Sequence, residues 1–444
     1  MTNPFQVISG IKRKELPLAL LMFAYFFLVI SSFWILKPIK KSLFISYYDV
    51  GGFNLFGWLM TASQAELLAK VLNMLVAVVA VTVFTLLVRR MRRQQLTYVF
   101  SAFFIISYGF YTFLLANLSG AVVWSFYLFG DLYSTLMVAT FFAFMNDSVT
   151  ANEAKRMYGL VVLGGVTGGV FGTSSLRLWI DALSSSQWMW VLMVVAFIIL
   201  MIAYAAGRLV ETRPLAAAPT AAPKPANEEK KSSSRNAAFE GAALVFRSKY
   251  LLSIVAIVGL YEIVSTILDF QFTATVAHYK DGAAIGEHFS TVFAITNWTS
   301  LLVQFFLTSI ILSRFGVMVA LSILPMIMIF ASGGFLAVPI LWMGSMLNTA
   351  DNGFSYSINQ SAKETLYVPT DRDTKYKAKA FIDMFVQRFA KAIAVGVSLL
   401  VTSIFASFGS IRWLSLFTIA IVVLWLIAVR YAGREFKRMT QESK

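Results

Sequence analysis

The 444-residue chain has no cysteine and only two histidines, His278 and His288. Without thiols, disulfides, thiolate catalysis and cysteine-based metal sites are excluded. Two histidines do not make a multi-histidine metal centre, and no metal or other cofactor is implied. Charge is scarce as well: 13% of the residues are charged, against about 25% in an ordinary soluble domain. Instead 58% are hydrophobic, and the mean hydropathy is +0.73. So large an apolar excess, kept up over this length, needs lipid as its solvent. Enzyme signatures are missing too. There is no HExxH, no GxSxG in a convincing setting and no Walker motif, so no enzymatic activity is expected. Primary active transport would need a second subunit. The first apolar stretch begins near Leu18. It lacks the pattern of a removable signal and is long enough to stay as a membrane helix.

Acidic residues are the rarer sign: 22, against 37 Lys and Arg, for a net charge of +15. In a soluble protein this would point to nucleic acid. Here the basic residues collect in loops on one side: IKRK at 11–14, RRMRR at 89–93, EAKR at 153–156, Arg314, DRDTKYKAK at 371–379 and REFKR at 434–438. The positive-inside rule makes that side cytoplasmic, with both termini on it, and no nucleic-acid partner is expected.

What the chain has in quantity is apolar runs of about twenty residues. They fall near 18–47, 64–88, 96–116, 122–146, 157–180 and 188–208, then near 249–277, 288–312, 317–336, 338–360, 378–405 and 410–431. Between the sets lies PLAAAPTAAPKPANEEKKSSSR, a low-complexity stretch that cannot bury a core. The expected fold is therefore all-α, with about twelve membrane helices in two six-helix bundles of major-facilitator type. The N-terminal bundle takes 1–211, a cytoplasmic linker 212–247 and the C-terminal bundle 248–444. A positional repeat supports two related halves. FMNDSVTANEAKRMYGL in the first half and YSINQSAKETLYVP in the second each run from an Asn-containing helix end into a basic loop.

A charge inside a span costs free energy unless it meets a partner or a cavity, so the exceptions are informative. ILKPIKKSLF carries Lys37, Lys40 and Lys41. Lys37 and Lys40 are three apart and are expected to share a face as a cationic wall. Asp131, deep in the fourth span, is expected to pair with a first-span lysine or to take up a proton. Glu66 and Lys70 are four apart, which fits a local ion pair and a functional site equally. Asp147 reads as part of a charge network with Lys155 and Arg156. GGVTGGVFG at 164–172 reads as a surface for close helix packing, since it lacks the Lys-Ser/Thr of a phosphate loop. Glu262 and Asp269, seven apart, occupy one face of the seventh span and fit a coupling or gating role. Asn348, Asn352, Ser355 and Asn359 form a polar stripe along the tenth span, next to Tyr356, Lys363 and Glu364. The eleventh span adds Asp383, Gln387, Arg388 and Lys391.

Several of these blocks resemble the ATP/ADP translocases of plastids and intracellular bacteria. They are NDSVTANEAKRMYGLVVLGGVTGGVFG at 146–172, YLLSIVAIVGLYEIVSTILDF at 250–270, SAKETLYVPTDRDTKYKAKAFIDM at 361–384 and the ILKPIKKSLF segment. The resemblance implies a major-facilitator-like carrier in a bacterial inner membrane, working as a monomer. It also implies four residues important for nucleotide transport, which by position are Lys40, Asp131, Asp269 and Lys363. The chain departs from the family pattern in having Asp rather than Glu at both acidic positions. Gln271, Thr273 and Thr275 also follow the seventh-span acid where the family has basic residues.

The expectation is thus a secondary transporter of a small anionic solute, a nucleotide first of all, by alternating access through a cavity lined by spans 1, 4, 7 and 10. Lys37, Lys40, Lys363 and Arg388 would hold anionic oxygens. Asp131, Asn352 and Tyr356 would complete the site. Trp34, Tyr133 and Tyr356 offer rings for a base. Glu262, Asp269, Glu364 and Asp383 would govern coupling and gating. Two alternatives stay open: a proton-coupled carrier of another organic anion, and a transporter-like sensor or assembly partner.

Overall fold

A computed structural model of the chain describes residues 11–211, 242–370, 378–379, 381–405 and 407–442. The low-complexity part of the linker and the basic stretch 371–377 lie outside them. Among the described residues, eleven helices are long and apolar enough to cross a membrane. These eleven and one further segment run in chain order as α1 Leu16–Tyr48, α2 Ala62–Arg90, α3 Arg93–Leu114, α4 Gly120–Ser148, α5 Ala151–Trp179, α6 Ser185–Glu211, α7 Lys249–Tyr279, α8 Ala283–Leu302, α9 Gly316–Ala337, α10 Leu341–Phe354, α11 Gln387–Ile404 and α12 Leu414–Glu442. The segment outside the eleven is α10. A π turn at Ser355–Asn359 continues it into Gln360–Leu366, and its Asn and Asp residues lower its hydropathy. A π turn also follows α8, at Val303–Thr308, and another precedes α11, at Ile382–Val386. Each observed helix overlaps a span read from the sequence.

The helices begin where the chain supplies caps. Thr61 and Gln64 form a capping box at α2, Thr150 and Glu153 form another at α5, and the Ser119 side chain accepts from the Val122 N–H at α4. A short hairpin, β1 Phe53–Leu55 paired antiparallel with β2 Trp58–Met60, joins α1 to α2. Its turn places Phe56 and Gly57 at positive φ, +50° and +92°. Only the glycine adopts that conformation without cost.

Two compact units form. The first is Met1–Val210 with Phe272–Leu302, and the second is Glu211–Gln271 with Val303–Lys444. In the first unit α1 is the central helix, packed on α5, α4, α8 and α2. The glycines of α5 make the α1 contact possible. A Cβ at Gly164, Gly168 or Gly172 would stand 2.5–2.7 Å from the carbonyl oxygens of Phe23, Phe27 and Ser31. Ser31 Oγ also donates to the Gly168 carbonyl at 3.0 Å. This is the close helix packing that the 164–172 run led one to expect. At the start of the same pair, Arg156 donates through two nitrogens to the Glu15 carboxylate, at 2.5 and 3.0 Å. That pairing holds the Glu15 carboxyl below its ordinary range, the hydrogen bond outweighing burial. Arg156 thus spends its fork on Glu15 rather than on Asp147, and the Lys155 side chain lies outside the described residues.

In the second unit α9 packs along α12 and α10, and the π turns after α8 and α10 lie against each other. Trp425 and Tyr261 meet in its interior at 5.6 Å. Exposed faces are apolar: Leu75, Val78 and Val79 on α2, Ile106, Phe110 and Phe113 on α3, and Val194, Phe197 and Met201 on α6. Such belts suit hydrocarbon and would be costly in water.

Candidate functional site

In the first unit the three lysines of α1 each find a different environment. Lys40 is buried, 4% exposed, and ion-pairs with Asp131 on α4. Its Nζ also donates to the Tyr127 carbonyl at 3.4 Å and lies 4.4 Å from the Tyr127 ring centroid. Gly130 makes room for its stem, because a Cβ there would come within 2.5 Å of Lys40 Cδ. Lys41 meets Glu66 of α2 at 3.3 Å, and Lys70, one turn further along α2, meets the other oxygen of that carboxylate at 3.3 Å. Tyr127 donates its hydroxyl to Glu66 at 2.9 Å, so one tyrosine bridges the two lysine–acid groups. Glu66 is 1% exposed. Lys37 is set among rings, with Trp34 at 4.6 Å and Phe293 of α8 at 5.0 Å.

The pairing of Asp131 with a first-span lysine is therefore present. Lys37 and Lys40, three residues apart, turn to different neighbours. The Glu66–Lys70 pair exists but is part of a buried cluster rather than a local surface contact. Three ammonium groups, those of Lys40, Lys41 and Lys70, meet two carboxylates in this cluster, so these contacts hold more positive than negative charge. Lys41 and Tyr127 were not among the expected site residues, and for Glu66 the spacing fits a site residue and a local ion-pair partner equally. The i,i+4 spacing of Glu66 and Lys70 signals the first pair, but nothing local singles out Tyr127. Tyr133 is wholly buried against Phe104 at 4.9 Å, and Trp34 is 6% exposed, so in this structure both rings are taken up by packing.

In the second unit the acids of α7 have mixed partners. Glu262 meets Lys391 of α11 at 3.4 Å, and Asp269 accepts from Asn348 of α10 at 3.4 Å. Ser265 donates to Asp351 at 2.5 Å, and Asn352 donates back to the Asn348 carbonyl at 3.1 Å. Tyr356 is 55% exposed and lies within the fields of Asp351, Lys391, Glu262 and Asp269. Lys363 stands 5.3 Å from the Tyr261 ring. Glu364 takes Lys379 at 2.6 Å, at the mouth of the basic loop. Arg388 is half-buried one turn before Lys391. The Asp383 side chain lies outside the described residues. Thus Glu262, Asp269, Asn352 and Tyr356 come together, and Glu364 belongs to a separate pair. Gln271, Thr273 and Thr275 are all fully buried, and Gln271 donates to the Ile411 carbonyl and to Ser415 Oγ, both at 3.0 Å. The NH2 group of Gln271 is thus taken up by these two acceptors.

The pattern of the family described as TLC ATP/ADP transporter matches residues 118–341 and 335–436. The chain belongs to the TLC ATP/ADP transporter family. Within it, the chain is 22% identical over 512 residues to a protein named ADP,ATP carrier protein 1, chloroplastic, of Arabidopsis thaliana, covering 99% of this chain and 76% of that one. It is 20% identical over 495 residues to ADP,ATP carrier protein 1 of Rickettsia conorii, covering 97% and 95%. Among solved structures, the nucleoside transporter NupG superposes with a TM-score of 0.65 at 13% identity, over 94% of this chain and 99% of that one. The major facilitator superfamily transporter FucP does so at 0.50 and 14%, over 95% and 99%. The family member described here therefore has the major-facilitator fold, in which the lysine-rich α1 and the acid-bearing α7 are membrane helices.

Proposed function

We propose that this protein is a secondary transporter that exchanges nucleotides of the ATP/ADP type across a bacterial inner membrane. The observation that carries the reading is the buried, net-positive cluster on α1, α2 and α4 in a chain of this family. Lys40 is the first anion-binding group. In the resting protein Asp131 neutralises it, and an entering phosphate competes for it by charge-assisted hydrogen bonds. In the second unit, Lys363 and Arg388 are the candidate cations, and Asn352 and Tyr356 the candidate uncharged polar groups. Glu262 and Asp269 set the charge of that wall when no solute is bound. Exchange follows if the empty carrier cannot reorient because its lysines and acids lock it, and a bound solute releases that lock. The carrier works as a monomer, with six-helix halves 1–211 and 248–444 joined through a cytoplasmic 212–247 and both termini on the cytoplasmic side.

The test is uptake of labelled ATP into proteoliposomes. Rapid uptake is expected with ADP inside and little into empty vesicles. Accumulation in empty vesicles under a proton gradient would replace exchange with proton coupling. Absence of nucleotide uptake alongside uptake of another organic anion would overturn the nucleotide assignment. Topology is tested separately in this cysteine-free chain. Pro225→Cys labelled by an impermeant reagent in intact cells would reverse the orientation.

A further inference from the structure

Lys41, Lys70 and Glu66 belong to the cluster that carries the proposal above but have no individual role in it, and their geometry is unusual. One carboxylate is divided between two ammonium groups, each at 3.3 Å. Charge-assisted N–H···O bonds ordinarily close to about 2.7–2.9 Å, so both contacts are long. Lys40 is served otherwise: Asp131, the Tyr127 carbonyl and the Tyr127 ring all attend it. Glu66 is thus the shared member of the cluster, one carboxylate contacted by two ammonium groups at 1% exposure, and Lys41 also lies 5.5 Å from the Phe289 ring centroid. The Tyr127 hydroxyl also donates to Glu66, at 2.9 Å. The Lys70 side chain keeps 22% of its surface exposed, so a ligand can reach it.

A terminal phosphate fits two ammonium groups better than a single carboxylate does. It brings nearly two negative charges and three acceptor oxygens, enough for both lysines at normal length. We propose that Lys41 and Lys70 form a distal-phosphate subsite, with Glu66 as the resting counter-ion that the terminal phosphate displaces. The inference rests on the nucleotide reading above and deepens it. Lys40 takes the phosphate nearer the nucleoside, and the Lys41–Lys70 pair counts how many phosphates follow.

The experiment is competitive binding of ATP, ADP and AMP to the purified full chain and to two variants. In Lys70→Gln, ATP affinity falls by on the order of tenfold or more while AMP affinity is unchanged, so the preference for ATP over AMP collapses. The ratio is read on folded protein only, so a loss of yield does not affect it. In Glu66→Gln the competing carboxylate is gone. That variant binds ATP at least as tightly as the wild type, and ATP raises its melting temperature more than that of the wild type. If Lys70→Gln weakens ATP and AMP equally, or leaves their ratio intact, the subsite does not exist. Loss of ATP affinity in Glu66→Gln as great as in Lys70→Gln overturns the displacement. A wild type that binds none of the three fails the nucleotide reading, and the subsite falls with it. A wild type that binds all three, with a ratio unmoved by Lys70→Gln, removes the subsite alone.

Discussion

The polar clusters of the two units differ in how each charge is held. In the first unit every charge named sits on a regular helix and meets an opposite charge or an aromatic ring: Lys40 with Asp131, Lys41 and Lys70 with Glu66, and Lys37 with Trp34 and Phe293. In the second, two of the three acids accept from uncharged donors, Asp269 from Asn348 and Asp351 from Ser265. The cation that meets the third acid, Lys391, is 46% exposed. Helix α10, which carries much of this wall, gives way to a π turn at Ser355–Asn359, a feature often found where a helix serves function rather than packing. The contrast fits the role proposed for the first cluster as a fixed positive field, and sets beside it a second wall whose described contacts include uncharged donors and an irregular helix.

The largest effect that would break this contrast is at Lys40. Lys40→Gln is expected to weaken nucleotide binding ten- to a hundredfold, from about 1.5–3 kcal/mol for a hydrogen bond to a charged group. Titration calorimetry checks it, and unchanged affinity would remove the fixed-field account. Next come two glycines. Gly168→Ala drives a Cβ to 2.5 Å from the Phe27 carbonyl oxygen and is expected to cost about 1–3 kcal/mol by overpacking. Gly333, within α9, has nothing within 4 Å of its Cβ position. Gly333→Ala is therefore expected to gain up to about 1 kcal/mol of helix propensity. Melting temperatures in detergent should move in opposite directions, and parallel shifts would show that the two units do not differ in tightness.

A smaller effect is expected at Lys363, which is half-buried against Tyr261. Lys363→Gln should lower affinity only severalfold, in the range of about 0–1 kcal/mol for partly solvated charges. A loss as large as that of Lys40→Gln would make the two units equal partners. The smallest effect concerns pH. The Glu15 carboxyl is held below its usual 4.5, first by the hydrogen bond from Arg156. A group with a lowered folded-state pKa contributes stability above its unfolded value and loses it as pH falls through the folded one. Wild type should thus lose melting temperature below about pH 4.5 more steeply than Glu15→Gln. Identical pH profiles would show that the α1–α5 entrance is held by the glycine packing alone.

How much of this was legible in the sequence depended on distance along the chain. Each span emerged from apolar run length. The packing role of Gly164, Gly168 and Gly172 followed from small residues recurring on one helical face, and the Glu66–Lys70 pair from spacing within a single helix. The family blocks pointed to the lysine segment, and the scarcity of charge in spans marked Asp131, Glu262 and Asp269. Local periodicity stops at the edge of its own helix. Lys37 and Lys40 are three residues apart, roughly 60° in rotation. That was enough to send one to Phe293 on α8 and the other to Asp131 on α4. Only the tertiary structure decided that Lys41 meets Glu66 and that Tyr127 joins the two pairs. Only it decided that Gln271 is spent on Ile411 and Ser415, and that Phe272–Leu302 packs with the first unit. The sequence determined that these charges must be satisfied within the membrane, because lipid solvates none of them. Which partner satisfies each depends on the rotation and approach of helices far apart in the chain, and no local pattern encodes that.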